Sequence, residues 1–219
     1  MKMILSALVT LFLFTGHSQN SLPLQYTGHS DTTKPLIVYL SGDGGMNSFT
    51  TSLIQSLNKK GYAILALDSK SYFWKKKDPQ EFASAMSQSI SNYLKAEKRS
   101  SFVLLGYSFG ADVSPFLVTR LPQTLHPKCK GLVLLSVSAH TEFEVKVLDM
   151  LGWGSKKDEN VIAELNKVSL PVTMFFGKDE MDFPVHKVTI HKQVIIMEGG
   201  HHYDNDTGDL SNRIIAKIK

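Results

Sequence analysis

Short apolar runs alternate with longer amphipathic stretches along most of this 219-residue chain. Leu36-Ile37-Val38-Tyr39-Leu40 is uninterrupted and β-branched, as expected of a strand buried on both faces. Met46 to Lys60 then places Phe49, Leu53 and Leu57 at helical spacing and stops at Gly61. Tyr62 to Leu67 reads as the next strand, ending in Asp68. Asp78-Pro79 opens a helix to about Lys95, with Asp78 as cap and Pro79 at the first helical position. Further strands are expected over Ser101–Leu105, Gly131–Val137, Val172–Phe176 and Val194–Met197, with a helix to about Leu121 and a closing helix from about Asp209. Apolar strands separated by amphipathic helices predict an α/β fold, a mostly parallel sheet covered on both faces. Thr141 to Val147 breaks this pattern by alternating polar and apolar residues, and Leu151-Gly152-Trp153-Gly154 follows. It is too short for a cap domain and reads as a minimal lid beside the site.

The first twenty residues follow a different logic. A short basic start at Met1-Lys2-Met3 precedes the apolar run Ile4 to Phe14, and Thr15-Gly16-His17-Ser18 turns small and polar. A permanent transmembrane helix needs about 20 apolar residues, whereas this layout matches a secretory signal peptide. Cleavage after Ser18 would leave one α/β domain over residues 19–219, exported and soluble; a short uncleaved anchor is the competing reading. Cys129 is the only cysteine, so no internal disulfide forms, and it reads as a packing or surface residue. The net charge of +4 is dispersed apart from Lys75-Lys76-Lys77. That cluster suits either a solvated loop or an anionic membrane surface. With no aromatic-basic array, a nucleic-acid partner is not expected.

The candidate chemistry gathers where strands end. Ser108 lies in Gly106-Tyr107-Ser108-Phe109-Gly110, a Gly-x-Ser-x-Gly pattern between an expected strand and an expected helix. By chance this pattern arises in about one chain of this length in fifteen, so its strand-to-helix context carries the weight. There it describes the strained turn that exposes a nucleophilic hydroxyl in the α/β-hydrolase fold. A serine needs a base, and in this fold the order is serine, acid, histidine. His201 and His202 follow the last strand at Gly199-Gly200; His201 is favoured and His202 competes, with a metal site formed with Asp204 and Asp206 as the rival reading. No metal or cofactor is expected. The acid should follow the Val172–Phe176 strand, where register favours Glu180, a loop adjustment would present Asp182, and Asp179 is third. The oxyanion donors are expected from the amides of Phe109 and Asp43, the latter within Ser41-Gly42-Asp43-Gly44-Gly45. A phosphate loop is the alternative for that segment, but its Gly-Lys-Ser/Thr ending is missing.

These motifs go beyond a generic hydrolase. LSGDGG at 40–45, DSKSYFWKKKDP at 68–79, GYSFGADVSPF at 106–116, Arg120-Leu121-Pro122, Phe176-Gly177 with Glu180 and Asp182, and EGGHHYD at 198–204 resemble the VirJ/AcvB family of bacterial virulence-associated proteins. The likeness covers nearly the whole chain after residue 18, in the family's order. Tyr203 departs from the Phe usual at that position. The resemblance implies export to the periplasm and a lipase-like hydrolase of aminoacylated phosphatidylglycerol, such as lysyl-phosphatidylglycerol, with Ser108, the His201-His202 pair and the Glu180/Asp182 loop matching the family's residues. Members have also been linked to type IV secretion. An aminoacyl ester carries an ammonium group, which Asp43, Asp112 and whichever of Glu180 and Asp182 lies outside the triad could bind. Tyr72-Phe73-Trp74, beside the lysines, would rest on the lipid surface. A generic acyl esterase or thioesterase, and a non-catalytic envelope or secretion-associated protein on a hydrolase scaffold, stay open. Oligomeric state is not legible.

Overall fold

The computed structural model describes residues 22–146 and 158–218. The expected signal peptide, and Leu151-Gly152-Trp153-Gly154 of the expected insertion, lie outside the described residues. In chain order the elements are β1 (Leu24–Thr27), β2 (Leu36–Leu40), α1 (Ser48–Lys59), β3 (Ile64–Leu67), α2 (Ser69–Tyr72), α3 (Pro79–Ala96), β4 (Phe102–Tyr107) and α4 (Phe109–Val118). There follow β5 (Cys129–Leu135), β6 (His140–Thr141), β7 (Glu159–Asn160), α5 (Val161–Leu165), β8 (Val172–Gly177), β9 (Lys192–Met197) and α6 (Thr207–Ile215).

Seven strands form one sheet in the order β1-β3-β2-β4-β5-β8-β9. Every pairing is parallel except that of β1 with β3. The apolar runs explain the centre of this order, because β2, β3, β4 and β8 are buried along their whole length. At the edge, β9 leaves Val194 and Ile196 exposed while Met197 is buried. Helices α3, α4 and α5 contribute to the apolar cluster on one face of the sheet, and α1 and α6 to the cluster on the other.

Local chemistry fixes where the helices begin. Asn47 caps α1 by accepting from the Thr50 amide at 2.9 Å. Asp78 caps α3 by accepting from the amides of Gln80 at 2.8 Å and Glu81 at 3.0 Å, with Pro79 in the first turn. Each such cap stabilises its helix by about 0.5–2 kcal/mol. Along α1, Phe49, Leu53 and Leu57 are all buried, each contributing roughly 1.5–3 kcal/mol.

Four features are additions to the sequence reading: antiparallel β1, the single-turn α2, the short α5, and the β6–β7 ribbon, in which His140 pairs with Asn160 and Thr141 with Glu159. This two-residue ribbon is the base of the insertion. Its first arm runs beside the loop after α2: Lys77 donates to the Phe143 carbonyl and the Val145 amide to the Phe73 carbonyl. Phe143 and Val145 enter the core, and Phe143 packs on Phe73, Phe82 and Phe116. The polar residues between them are left for the cleft.

Candidate active site

Because β2, β4, β5, β8 and β9 run parallel in register, their carboxyl ends form a single edge of the sheet. Ligands bind beyond that edge in open α/β sheets. Ser108 sits where β4 turns into α4, with φ 52° and ψ −123°. A non-glycine residue in this region costs of order 1–3 kcal/mol, and the surroundings enforce it. The Ser108 amide donates to the Leu135 carbonyl at 2.8 Å, and the Ser108 carbonyl accepts from Ala111 at 2.8 Å and Asp112 at 3.0 Å. The flanking glycines are there for lack of room: a Cβ at Gly110 would lie 2.1 Å from the Leu40 carbonyl oxygen, and one at Gly106 2.5 Å from the Gly110 oxygen.

The imidazole arrives from the loop after β9. His201 Nε2 is 2.9 Å from Ser108 Oγ, and His201 Nδ1 is 2.7 Å from Glu180 Oε2. Three features hold this loop. The Tyr107 hydroxyl donates to the His201 carbonyl at 3.3 Å. The buried Tyr203 hydroxyl bonds Ser136 Oγ at 2.8 Å and the Phe175 carbonyl at 3.1 Å. Tyr203, Asp204 and Asn205 all take positive φ, near 51–58°, which turns the chain sharply after the histidines. Burial pushes both tyrosine hydroxyls above their ordinary pKa, so they remain neutral donors.

Of the two histidines, His201 faces Ser108. Among the described residues His202 makes no hydrogen bond to Ser108 and instead sets its ring edge-on to Phe49 at 5.3 Å, 5.6 Å from the His201 ring. The metal reading of this pair with Asp204 and Asp206 finds no geometry to support it: among the described residues no group of three or more His, Cys, Asp or Glu is placed to hold a metal ion. Of the three acids, Glu180 bonds the imidazole. Its own amide donates to Gly177 at 3.1 Å, and Asp179 and Lys178 donate to Gly199 and Met197, tying the loops after β8 and β9 together. Their approach requires Gly177, where a Cβ would lie 2.2 Å from the Gly200 oxygen. Asp182 lines a second cleft beside His201 and Glu180, with Val137, Phe176, Phe183 and Pro184.

Asp43 and Phe109 both line the cleft at Ser108. The loop after β2 is pressed against Ser108, since a Cβ at Gly42 would be 3.3 Å from Ser108 Cβ. Neither the Asp43 nor the Phe109 amide is taken up by a partner among the described residues. Asp112 lines the same cleft although only 3% exposed, and accepts from the Ser138 amide at 2.6 Å.

The aromatic triplet divides differently from the sequence expectation. Phe73 is fully buried and packs on Phe82, Phe109 and Phe143, so it is a core residue and has no surface to offer a substrate. Tyr72 leans on Phe73 and Phe82 and carries the Lys77 ammonium over its ring at 5.0 Å. Only Trp74 projects, 52% exposed. Sequence reasoning missed Glu142, Glu144 and Lys146, which complete the wall of the cleft. The alternation was the available signal: over 141–146 its apolar positions, Phe143 and Val145, go to the core and its polar ones line the site.

Solved structures with the same arrangement of elements include MenH from S. aureus (13% identical, TM-score 0.66, covering 89% of this chain and 97% of that one). A lipase-esterase related protein from Clostridium acetobutylicum is 16% identical, with TM-score 0.63 and coverage of 90% and 100%. Est1E from Butyrivibrio proteoclasticus with ferulic acid bound is 14% identical, with TM-score 0.64 and coverage of 90% and 95%. At these identities the likeness establishes the fold alone, and it is the α/β-hydrolase fold. No curated protein matches the sequence. The family model for VirJ, bacterial virulence protein, matches residues 34–219, and the chain belongs to the VirJ family.

Proposed function

We propose that this chain is a serine hydrolase that cleaves acyl esters through Ser108. The observation that carries the reading is the continuous relay from Ser108 Oγ to His201 Nε2 at 2.9 Å and from His201 Nδ1 to Glu180 at 2.7 Å. His201 takes the hydroxyl proton as Oγ attacks the ester carbonyl, and the amides of Phe109 and Asp43 receive the charge that develops on the carbonyl oxygen. Collapse expels the alcohol, which takes the proton from His201, and leaves an acyl-serine. Water then repeats the sequence and releases the acid. Glu180 keeps Nδ1 protonated and stabilises the imidazolium that forms.

The substrate we propose is the aminoacyl ester of aminoacylated phosphatidylglycerol, such as lysyl-phosphatidylglycerol, reached at a membrane surface after export to the periplasm. Membership of the VirJ family supports this reading, as do the acids Asp43 and Asp112 in the cleft beside the serine. The second cleft, with apolar Val137, Phe176 and Phe183, suits the glycerol side of the ester. The exposed Trp74 with Lys75 and Lys76 suits an anionic surface. Vesicles containing lysyl-phosphatidylglycerol, treated with wild-type or Ser108→Ala protein, test the proposal by lipid analysis. Loss of the lysyl lipid with wild type alone is the expected result; equal persistence with both proteins rejects the substrate. A binding protein on this scaffold would also leave the lipid intact.

A further inference from the structure

We propose that the cleft at Ser108 contains an ammonium subsite centred on Glu142, which the chain's own Lys146 occupies until a cationic acyl group displaces it. The inference rests on Ser108 being the nucleophile and adds the residue that selects the acyl group.

Four carboxylates line this cleft, Asp43, Asp112, Glu142 and Glu144, against one lysine, Lys146. Lys146 Nζ lies 2.6 Å from Glu142 Oε2 and 3.6 Å from Glu144 Oε2. A primary ammonium therefore already sits in the cleft, supplied by the insertion itself. Glu142 is only 8% exposed, and its Oε1 is buried with no hydrogen-bond partner among the described residues. A buried carboxylate oxygen without a donor is costly, and here it belongs to a residue lining the wall beside the reacting hydroxyl.

An ammonium group is the ligand that matches this arrangement. It brings three donors and a positive charge, enough to serve the orphaned oxygen together with a neighbouring carboxylate. Exchange of Lys146 for a substrate ammonium keeps Glu142 paired, so the cost of burying its charge does not change. A neutral acyl group offers no such exchange: it would have to evict Lys146 and strand the carboxylate. Lys146 thus acts as a placeholder that a cationic acyl group replaces and a neutral one does not. Its side chain is 34% exposed, so it has solvent to swing into.

Titration calorimetry with L-lysine amide, at low ionic strength, tests the subsite without any turnover. Lys146→Met should bind the amide about tenfold more tightly than wild type, and Lys146→Met combined with Glu142→Gln should lose that gain. Lys146→Gln, which keeps a hydrogen-bonding group beside Glu142, replaces the Met variant should the latter fail to fold. Hexanamide, the neutral counterpart, should bind wild type about tenfold more weakly than lysine amide does, because it evicts Lys146 and leaves Glu142 unpaired. Weaker or unchanged lysine amide binding after loss of Lys146 overturns the proposal, and weaker binding would mark Lys146 as an anion site instead. Turnover of p-nitrophenyl hexanoate reports separately on Ser108, so failure of the nucleophile and failure of the subsite are distinguishable.

Discussion

His201 reaches Ser108 across 93 residues of sequence and meets its hydroxyl at 2.9 Å, while His202, the next residue, is turned onto Phe49. Two adjacent histidines therefore have separate expected effects. His201→Ala and Ser108→Ala should each lower ester turnover by about a thousandfold or more, whereas His202→Ala should stay within about threefold of wild type. Steady-state kinetics on p-nitrophenyl esters checks this, and equal losses for both histidines would contradict the assignment.

The backbone at Ser108 separates strain from chemistry. Ser108→Gly and Ser108→Ala both remove the hydroxyl, but only alanine keeps a Cβ at φ 52°. The glycine variant should be the more stable of the two by about 1 kcal/mol, because relief of strain outweighs the added freedom of the unfolded chain. Urea unfolding of the pair measures the difference. A glycine variant less stable than alanine would mean that the turn is unstrained.

Much of this site was legible in the sequence. Gly106 and Gly110 mark the tight turn because neither position has room for a Cβ, and the apolar runs mark the strands because both sheet faces are covered. Glu180 follows from its short distance after Gly177. Which histidine turns inward was not legible, since it depends on three consecutive positive-φ residues after the pair and on the Tyr203 hydroxyl anchored 67 residues away at Ser136. Phe73 was misread for a related reason. Its neighbours Trp74 and Lys75 are exposed, and only the packing of Phe82, Phe109 and Phe143 around its ring reveals it as core. Half-exposed β1 and the five-residue α5 are too short for a periodic signal.

Tyr203 offers a direct probe of that anchor. Removing its hydroxyl in Tyr203→Phe leaves Ser136 Oγ and the Phe175 carbonyl without the donor or acceptor they use now. The expected cost is about 1 kcal/mol of stability, read by urea unfolding. No change would show that the hydroxyl contributes nothing net to holding the final loop.

Glu164 should govern part of the acid limb of stability. It is buried, which raises its pKa, but Lys167, Thr119 and Arg120 donate to it and outweigh burial, so the carboxyl sits below its ordinary value. A depressed carboxyl contributes stability that is complete above its unfolded value and fades as pH falls through its folded value. The Tm gap between wild type and Glu164→Gln should therefore be widest near neutrality and shrink below about pH 4. A gap independent of pH would contradict this.

Cys129 should be inert in the folded protein. Burial pushes its thiol up to about 12, and the thiolate is the reactive form. Labelling by a disulfide reagent at neutral pH should be slow under native conditions and complete on unfolding; fast native labelling would contradict its placement at the start of β5.

The central claim is that Ser108 is a nucleophile activated by His201. A fluorophosphonate probe tests it most directly, since it reacts with an activated serine whatever the natural substrate. Wild type should be labelled at Ser108, with labelling abolished in Ser108→Ala and strongly reduced in His201→Ala. An unlabelled wild-type protein, or labelling that persists in Ser108→Ala, would contradict the account.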